Sequence, residues 1–289
     1  MDTESLQAFV AVARNGSFSI AAQTLFLTQP AISKRVSKLE ERLNHRLFDR
    51  LGRSLHLTEA GQALLPKAEA IIKELKDTER HIQELSGEIV GTLRVATSHH
   101  IGLHHLPPIL REFASKHANV NLQFEFLDSE QASKKVISGD CELAVVTLAP
   151  KIEYPLTSER LWQDKLAVVV GKNHTFASRK NISLAELSQE AAILPDLNTF
   201  TGRMILTRFE AAGCTIKVNM ATNYLETIKM MVSVGLGWSV LPISLIDHQM
   251  VALPLKEAQF DRELGAIYHQ KRSLSNAASA FFDILRANI

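Results

Sequence analysis

Cysteine is scarce in this sequence. Cys141 and Cys214 are the only two in 289 residues, too far apart for a disulfide framework or a metal-ligand spacing, so both are expected as buried structural thiols. Long apolar runs are also missing, and nothing approaches the ~18–20 residues of a membrane span. The opening MDTESLQ is acidic and lacks the basic and apolar regions of a secretory leader. A cytoplasmic protein with no membrane partner is expected. Net charge is missing too. The formal value is +1, so any affinity for nucleic acid must come from a local patch. Finally, the sequence contains no GxSxG, Walker A, GxGxxG or HExxH motif. A chain that is not an enzyme and carries no cofactor is expected.

What is present begins with a concentrated patch. Residues 28–58 hold seven cations (Lys34, Arg35, Lys38, Arg42, Arg46, Arg50 and Arg53) against Glu40, Glu41 and Asp49, a local charge of +4. Within it, TQPAISKRVSKLEERL reads as a helix over 28–43. Ile32, Val36, Leu39 and Leu43 recur at helical spacing and should face a core. The opposite side carries Pro30, Lys34, Ser37 and Lys38, with Gln29 and Ser33 on its flank. Such side chains can hydrogen-bond base edges or reach phosphates when a helix enters the major groove. Thr28 sits where an N-cap belongs, and Pro30 lies in the first turn, where its missing N–H costs nothing.

The flanking sequence supplies the rest of a DNA-binding module. Leu6, Phe9, Val10 and Ala13 give a first amphipathic helix, ended by Asn15-Gly16. Ser17 and Ser19 can cap a short second helix carrying Ala21, Ala22 and Leu25, and a tight connection at Phe26-Leu27 leads into the third. Helix, turn, helix at this spacing is a helix-turn-helix. Beyond Leu43, Leu47 and Phe48 look like packing residues, Leu51-Gly52-Arg53-Ser54 like a turn, and Leu55-His56-Leu57 like a strand. That makes a small wing with Arg50 and Arg53 beside its tip, suited to positioning contacts with phosphates. A three-helix protein–protein module with a solvated basic face is the alternative reading.

AFVAVARNGSFSIAAQTLFLTQPAISKRVSKLEERLNHRLFDR…LTEAG resembles the winged helix-turn-helix of LysR-type transcriptional regulators over about sixty positions. The resemblance implies that Gln29, Pro30, Ser33 and Lys34 contact bases of double-stranded promoter DNA, with Lys38, Arg50 and Arg53 near its backbone. Many relatives have Arg where this chain has Lys34, which gives up the bidentate fork for guanine.

Thr58 can cap a further helix running to about Leu85. Leu64, Ala68, Ile71, Leu75, Thr78, Ile82 and Leu85 repeat at intervals of four and three, interrupted only by Thr78. This heptad seam suits pairing with a partner helix, and a two-fold dimer reads two half-sites. The other reading is a long helix packed on its own domain. Pro66 is expected to bend the helix early. Residues 1–58 are thus expected as the DNA-binding domain, 59–87 as the dimerisation helix and 91–289 as a third region.

From Thr92 strand-like and helix-like runs alternate, which argues an α/β fold with mainly parallel sheets. Strand-like runs are Leu93–Ala96, Asn121–Phe126, Leu143–Val146, Leu166–Val170, Ala192–Leu194, Val218–Ala221, Trp238–Leu241 and Leu264–Tyr268. Helical patterns lie near 102–116, 130–138, 202–212, 223–234 and 274–287. This region is similar to the LysR-type effector domain, which resembles periplasmic binding proteins: two α/β lobes joined by two crossovers. The crossovers are placed near Leu161–Lys165 and Arg262–Gly265. One lobe then spans 92–161 with 266–289, and the other 162–265. In VGLGWSVLP, Gly235 should end a helix, Gly237 allow a close approach, and Trp238–Leu241 form a buried strand.

Ligands of such folds bind at strand ends that feed helix N-termini. Thr97-Ser98-His99-His100, Thr147 and Thr201-Gly202-Arg203 are such places. TSHH and FTGR resemble the sulfur-regulating branch of the family, whose members bind small anions. By that resemblance Ser98, His100, Thr147 and Thr201 line the pocket, with Ser129 and Asn223 as further candidates. Arg203 could pair with a ligand carboxylate or with an acid of the protein. HHIGLHH tempts a metal reading, because His100 and His104 share a helical face, but the nearby sequence offers no Cys or acid to complete a site. No metal is expected. The resemblance also implies a homodimer, paired into a homotetramer, and leaves RNA polymerase open as a further partner.

Overall fold

The computed structural model describes residues 2–51, 54–83, 87–255 and 259–289. The chain divides into two compact units, Met1–Ser86 and Gly87–Ile289.

In the first unit each helix starts where the sequence offers a cap. Helix α1 (Thr3–Asn15) begins at Asp2, whose carboxylate accepts the Ser5 N–H at 2.8 Å, and ends at Gly16 with φ 60°. Helices α2 (Phe18–Thr24) and α3 (Gln29–Leu43) begin at Ser17 and Thr28, and Pro30 lies in the first turn of α3. Strands β1 (Phe48–Leu51) and β2 (Ser54–Leu57) pair antiparallel. Leu6, Phe9, Val12, Ile32, Val36, Leu39 and Leu47 form the buried core, with the Phe9 and Phe18 rings 5.4 and 5.7 Å from Phe48. Val10 and Ala13 are half-buried and pack against this core.

Helix α4 (Glu59–Gln83) is continuous through Pro66 and spans 25 residues, about 38 Å at 1.5 Å per residue. Its first turns are spent inside the unit: Ala68 is fully buried, and Leu64, Leu65 and Ile72 pack on the same core. Farther along, Ile71, Leu75 and Ile82 are 44%, 43% and 62% exposed. The expected seam is thus divided between intramolecular packing and an exposed apolar stripe. Its last member, Leu85, lies outside the described residues.

In the second unit, β3 (Gly91–Thr97) leads through α5 (His99–His104) and α6 (Leu106–Lys116) to β4 (Val120–Phe126), then α7 (Ser129–Ser138) and β5 (Leu143–Thr147). The long β6 (Leu156–Gly171) follows, then α8 (Leu184–Gln189), β7 (Ala192–Leu194), α9 (Phe200–Ala211) and β8 (Val218–Ala221). Helix α10 (Leu225–Ser233), β9 (Ser239–Pro242), β10 (Met250–Ala252), β11 (Phe260–His269) and α11 (Asn276–Ala287) complete it.

The architecture is α/β and two-lobed. The main sheet has the order β10-β6-β11-β5-β3-β4, with β9 also on β6. Pairings of β3 with β4 and β5, and of β7 with β8, are parallel. Those of β11 with β5 and β6, and of β6 with β9 and β10, are antiparallel, so the expectation of mainly parallel sheets is corrected. The cause is β6 and β11, which run in opposite directions through both lobes. Leu161 of β6 and Leu264 of β11 belong to the core of one lobe with α6 and α11. Leu166 and Phe260 of the same two strands belong to the other, with α9 and Trp238.

The expected helix over 102–116 is two helices broken at His105, because Pro107 and Pro108 fit only a helix's first turn. Helix α8, strand β10 and the first part of β6 were not anticipated. Cys141 is buried, but Cys214 is half-buried, which corrects the expectation for the second thiol. No described helix is long and apolar enough to cross a membrane.

Candidate functional site

Two surfaces carry chemistry, one in each unit. In the first, the α3 face opposite Ile32, Val36 and Leu39 presents Gln29, Pro30, Lys34 and Lys38 to solvent, with Ser33 half-buried. Gln29 Nε2 donates to Ser33 Oγ at 2.9 Å, so these two amphoteric groups are held together on the helix's first turn. Lys38 Nζ lies 3.1 Å from Asp2 Oδ2, and Arg35 lies 2.7 Å from Glu4. The Asp2 carboxyl is held down at about pKa 2, chiefly by the Ser5 N–H and also by Lys38. Glu40 Oε1 accepts the Leu47 N–H at 2.7 Å and fixes where the wing leaves α3. Arg50 is placed on β1 by its backbone. Arg53 lies outside the described residues.

In the second unit a cleft of about 300 Å³ opens between the lobes, and all six residues singled out from the sequence line it: Ser98, His100, Ser129, Thr147, Thr201 and Asn223. The topology brings them there. Ser98 caps α5 after β3, Ser129 opens α7 after β4, and Thr147 ends β5. Thr201 lies in the first turn of α9, which Thr199 caps, and Asn223 precedes α10. Asn223 Oδ1 accepts the Asp196 N–H at 2.9 Å. Gly202 is required where α9 begins, because a Cβ there would stand 2.2 Å from the Asp196 carbonyl oxygen.

Sequence reasoning missed the most buried charge in the cleft. Arg262, on β11, places Nε and Nη2 each 2.8 Å from Asp164 Oδ2, and its Nη1 donates to Thr201 Oγ1 at 3.0 Å. Arg262 and Asp164 are 10% and 8% exposed. The only signal was position: Arg262 begins the second expected crossover. Arg203 resolves to the intramolecular reading. Its Nη2 lies 3.0 Å from Glu130 Oε1, joining α9 of one lobe to α7 of the other. Burial raises the Glu130 pKa, and Arg203 opposes that rise.

His100 is buried, and neither ring nitrogen has a hydrogen-bond partner among the described residues. Burial first, then the Arg262 guanidinium, pull its pKa from 6.5 to about 3. It is therefore a neutral imidazole at pH 7, able to donate one N–H but not a positive charge. Nearby, His104 Nε2 lies 2.8 Å from Glu226 Oε1, and both residues are half-exposed. Glu226 is the acid that the local sequence did not offer.

The family model described as the LysR substrate binding domain matches residues 86–289, and that of the bacterial regulatory helix-turn-helix protein, lysR family, matches residues 3–62. The chain belongs to the LysR family of transcriptional regulators. Curated relatives agree. The RuBisCO operon transcriptional regulator of Allochromatium vinosum is 29% identical over 96% of this chain and 92% of its own. The transcriptional activator CmpR of Synechocystis is 29% identical over 98% and 94%. Among solved structures, full-length OxyR from Pseudomonas aeruginosa aligns with TM-score 0.71 at 22% identity, covering 100% of this chain and 94% of that one. Full-length CbnR in complex with its target DNA aligns at 0.67 and 20% identity, covering both chains completely. These last two show the fold. As a member of this LysR family, the chain is a DNA-binding transcriptional regulator with an effector-binding domain, not an enzyme.

Proposed function

We propose that this LysR-family regulator works in the cytoplasm as a homodimer, paired into a tetramer, and that a small anion in the cleft of its second unit changes how it sits on promoter DNA. The observation that carries the reading is the convergence of helix first turns on one small cavity. The first turns of α7, α9 and α10 all contribute residues to its lining, and helix N-termini favour negative charge. Arg262 is matched by Asp164 and Glu130 by Arg203, and the Asp128 carboxylate that also lines the cleft accepts the Gln131 N–H as the cap of α7. The helix ends and the hydroxyls of Ser98, Ser129, Thr147 and Thr201 are the groups that meet a ligand in this account. A volume of about 300 Å³ lies at the bottom of the range for ligand pockets, roughly 300–1,000 Å³, which favours a ligand of few atoms.

Gln29, Pro30, Ser33 and Lys34 read bases in this account, while Lys38, Arg50 and Arg53 touch the backbone. The stripe of Ile71, Leu75 and Ile82 on α4 supplies the dimer seam. An effector acts only through differential affinity for two arrangements of the protein.

The test is a thermal-shift screen of sulfur oxyanions, small carboxylates and amino acids against the full chain. A binding anion stabilises by mass action, by ~2.7 kcal/mol at a hundredfold excess over Kd. Thr201→Ala and Ser98→Ala should abolish that gain; retention of the full shift in both variants would refute the pocket.

A further inference from the structure

His100 lines the cleft and also belongs to a second group of side chains that extends beyond the cleft lining. His100 and His104 of α5 and Glu226 of α10 each bring one ligand atom into a group whose members lie within 4.8 Å of one another. They come from both lobes: α5 packs through Ile101 in the core with Phe113 and Phe281, and α10 packs through Ile228 and Val232 in the core with Val169 and Leu241. His104 and Glu226 already touch at 2.8 Å and are each 39% exposed, so an ion can reach them from solvent. His100 is 4% exposed, and both its ring nitrogens lack a hydrogen-bond partner among the described residues. A buried imidazole without partners forfeits the hydrogen bonds that normally offset desolvation, and such a group asks for an explanation.

We propose that His100, His104 and Glu226 form a three-ligand site for a borderline divalent metal ion such as Zn²⁺, bridging the two lobes beside the effector cleft. Two imidazoles and a carboxylate are the donor set of that ion class, and a fourth position stays open to water or an anion. Donor atoms around a tetrahedral zinc stand about 3.3 Å apart, given bonds of ~2.0–2.1 Å. The present group therefore needs only side-chain adjustment to close. Arg262, which lines the same cleft as His100, is paired with Asp164 at 2.8 Å, and this offsets part of the repulsion that an incoming ion meets.

A metal there ties α5 to α10 across the cleft, so its affinity and that of any cleft ligand are coupled reciprocally. The site itself does not depend on which effector, if any, binds.

The experiment uses the untagged full-length chain, stripped with chelator and titrated with Zn²⁺ alone against a competing chromophoric chelator. Co²⁺ is then substituted to read the visible ligand-field bands of a tetrahedral site. The wild type should take up one ion per chain and show those bands. His104→Ala and Glu226→Gln, both at solvent-exposed positions whose loss leaves the core intact, should each weaken binding more than tenfold and lose the bands. His248→Ala, an exposed histidine outside the cluster, should match the wild type. Absence of stoichiometric metal in the wild type overturns the proposal, and so does undiminished binding in both cluster variants.

Discussion

The Arg262 guanidinium meets the Asp164 carboxylate at 2.8 Å in a pair that is nine-tenths buried, and its remaining reach holds Thr201 Oγ1 at 3.0 Å. Arg262 sits on β11 and Asp164 on β6, the two strands shared by the lobes, while Thr201 opens α9. One side chain therefore links both crossing strands to the helix end that lines the cleft.

Removing one partner of such a pair strands the other charge in a low-dielectric site. Asp164→Asn and Arg262→Ala should each lower unfolding free energy by about 3–5 kcal/mol, read by urea denaturation of the full chain. A loss below ~1 kcal/mol in both variants would show that water reaches the pair.

His100 imposes a pH dependence of definite sign. Its folded pKa of about 3 lies below the ordinary 6.5, so the unfolded chain binds the proton that the folded chain refuses. Stability on this account is complete above pH 6.5 and is lost progressively as pH falls from 6.5 toward 3. The slope contributed approaches about 1.4 kcal/mol per pH unit. His100→Gln removes the titration. Its stability should fall less steeply between pH 6 and 4 than that of the wild type, whatever its absolute stability. Parallel curves would place His100 in a wetter environment than the structure gives it.

Phe26 joins α2 to α3 with φ 53° and 95% of its surface exposed. A bulky residue in the left-handed region costs about 1–2 kcal/mol, and burial returns nothing here. Phe26→Asn should therefore raise the stability of the first unit by up to about 1 kcal/mol, measurable as a shifted denaturation midpoint. Any accompanying loss of DNA affinity would assign the ring a role on the duplex.

Lys38 is already neutralised by Asp2 at 3.1 Å, so a phosphate has to displace that carboxylate. Asp2→Asn keeps an N-cap for α1 while releasing the lysine. Binding to a nonspecific duplex should tighten several-fold, and the slope of log K against log salt should steepen by up to about 0.9. Lys34→Ala should instead flatten the slope by a similar amount. Fluorescence anisotropy across a salt series measures both. An unchanged slope for Lys34→Ala would remove Lys34 from the interface.

The first unit was readable because its determinants are local. Thr28, Pro30 and the spacing of Ile32, Val36 and Leu39 specify α3 within fifteen residues. The cleft hydroxyls were readable for a similar reason, since Ser98, Thr147 and Thr201 mark strand ends and helix starts whatever packs around them. Pairings across long separations were not. Arg262 meets Asp164 across 98 residues, and His104 meets Glu226 across 122. Nothing in the neighbouring sequence of either residue announces its partner. The antiparallel character of β6 and β11 was hidden in the same way, because strand direction depends on the path of the whole chain.

That path has a practical corollary. The lobe holding β3, β4 and β5 also needs β11 and α11 from the far end of the chain, where Phe281, Phe282 and Leu285 complete its core. That lobe cannot be cut out as a continuous fragment. During synthesis the early lobe must wait, with an apolar face unsealed, until β11 and α11 leave the ribosome. A truncation just before Phe260 therefore unseals the lobe made first, although the break in the chain lies downstream of its own early strands.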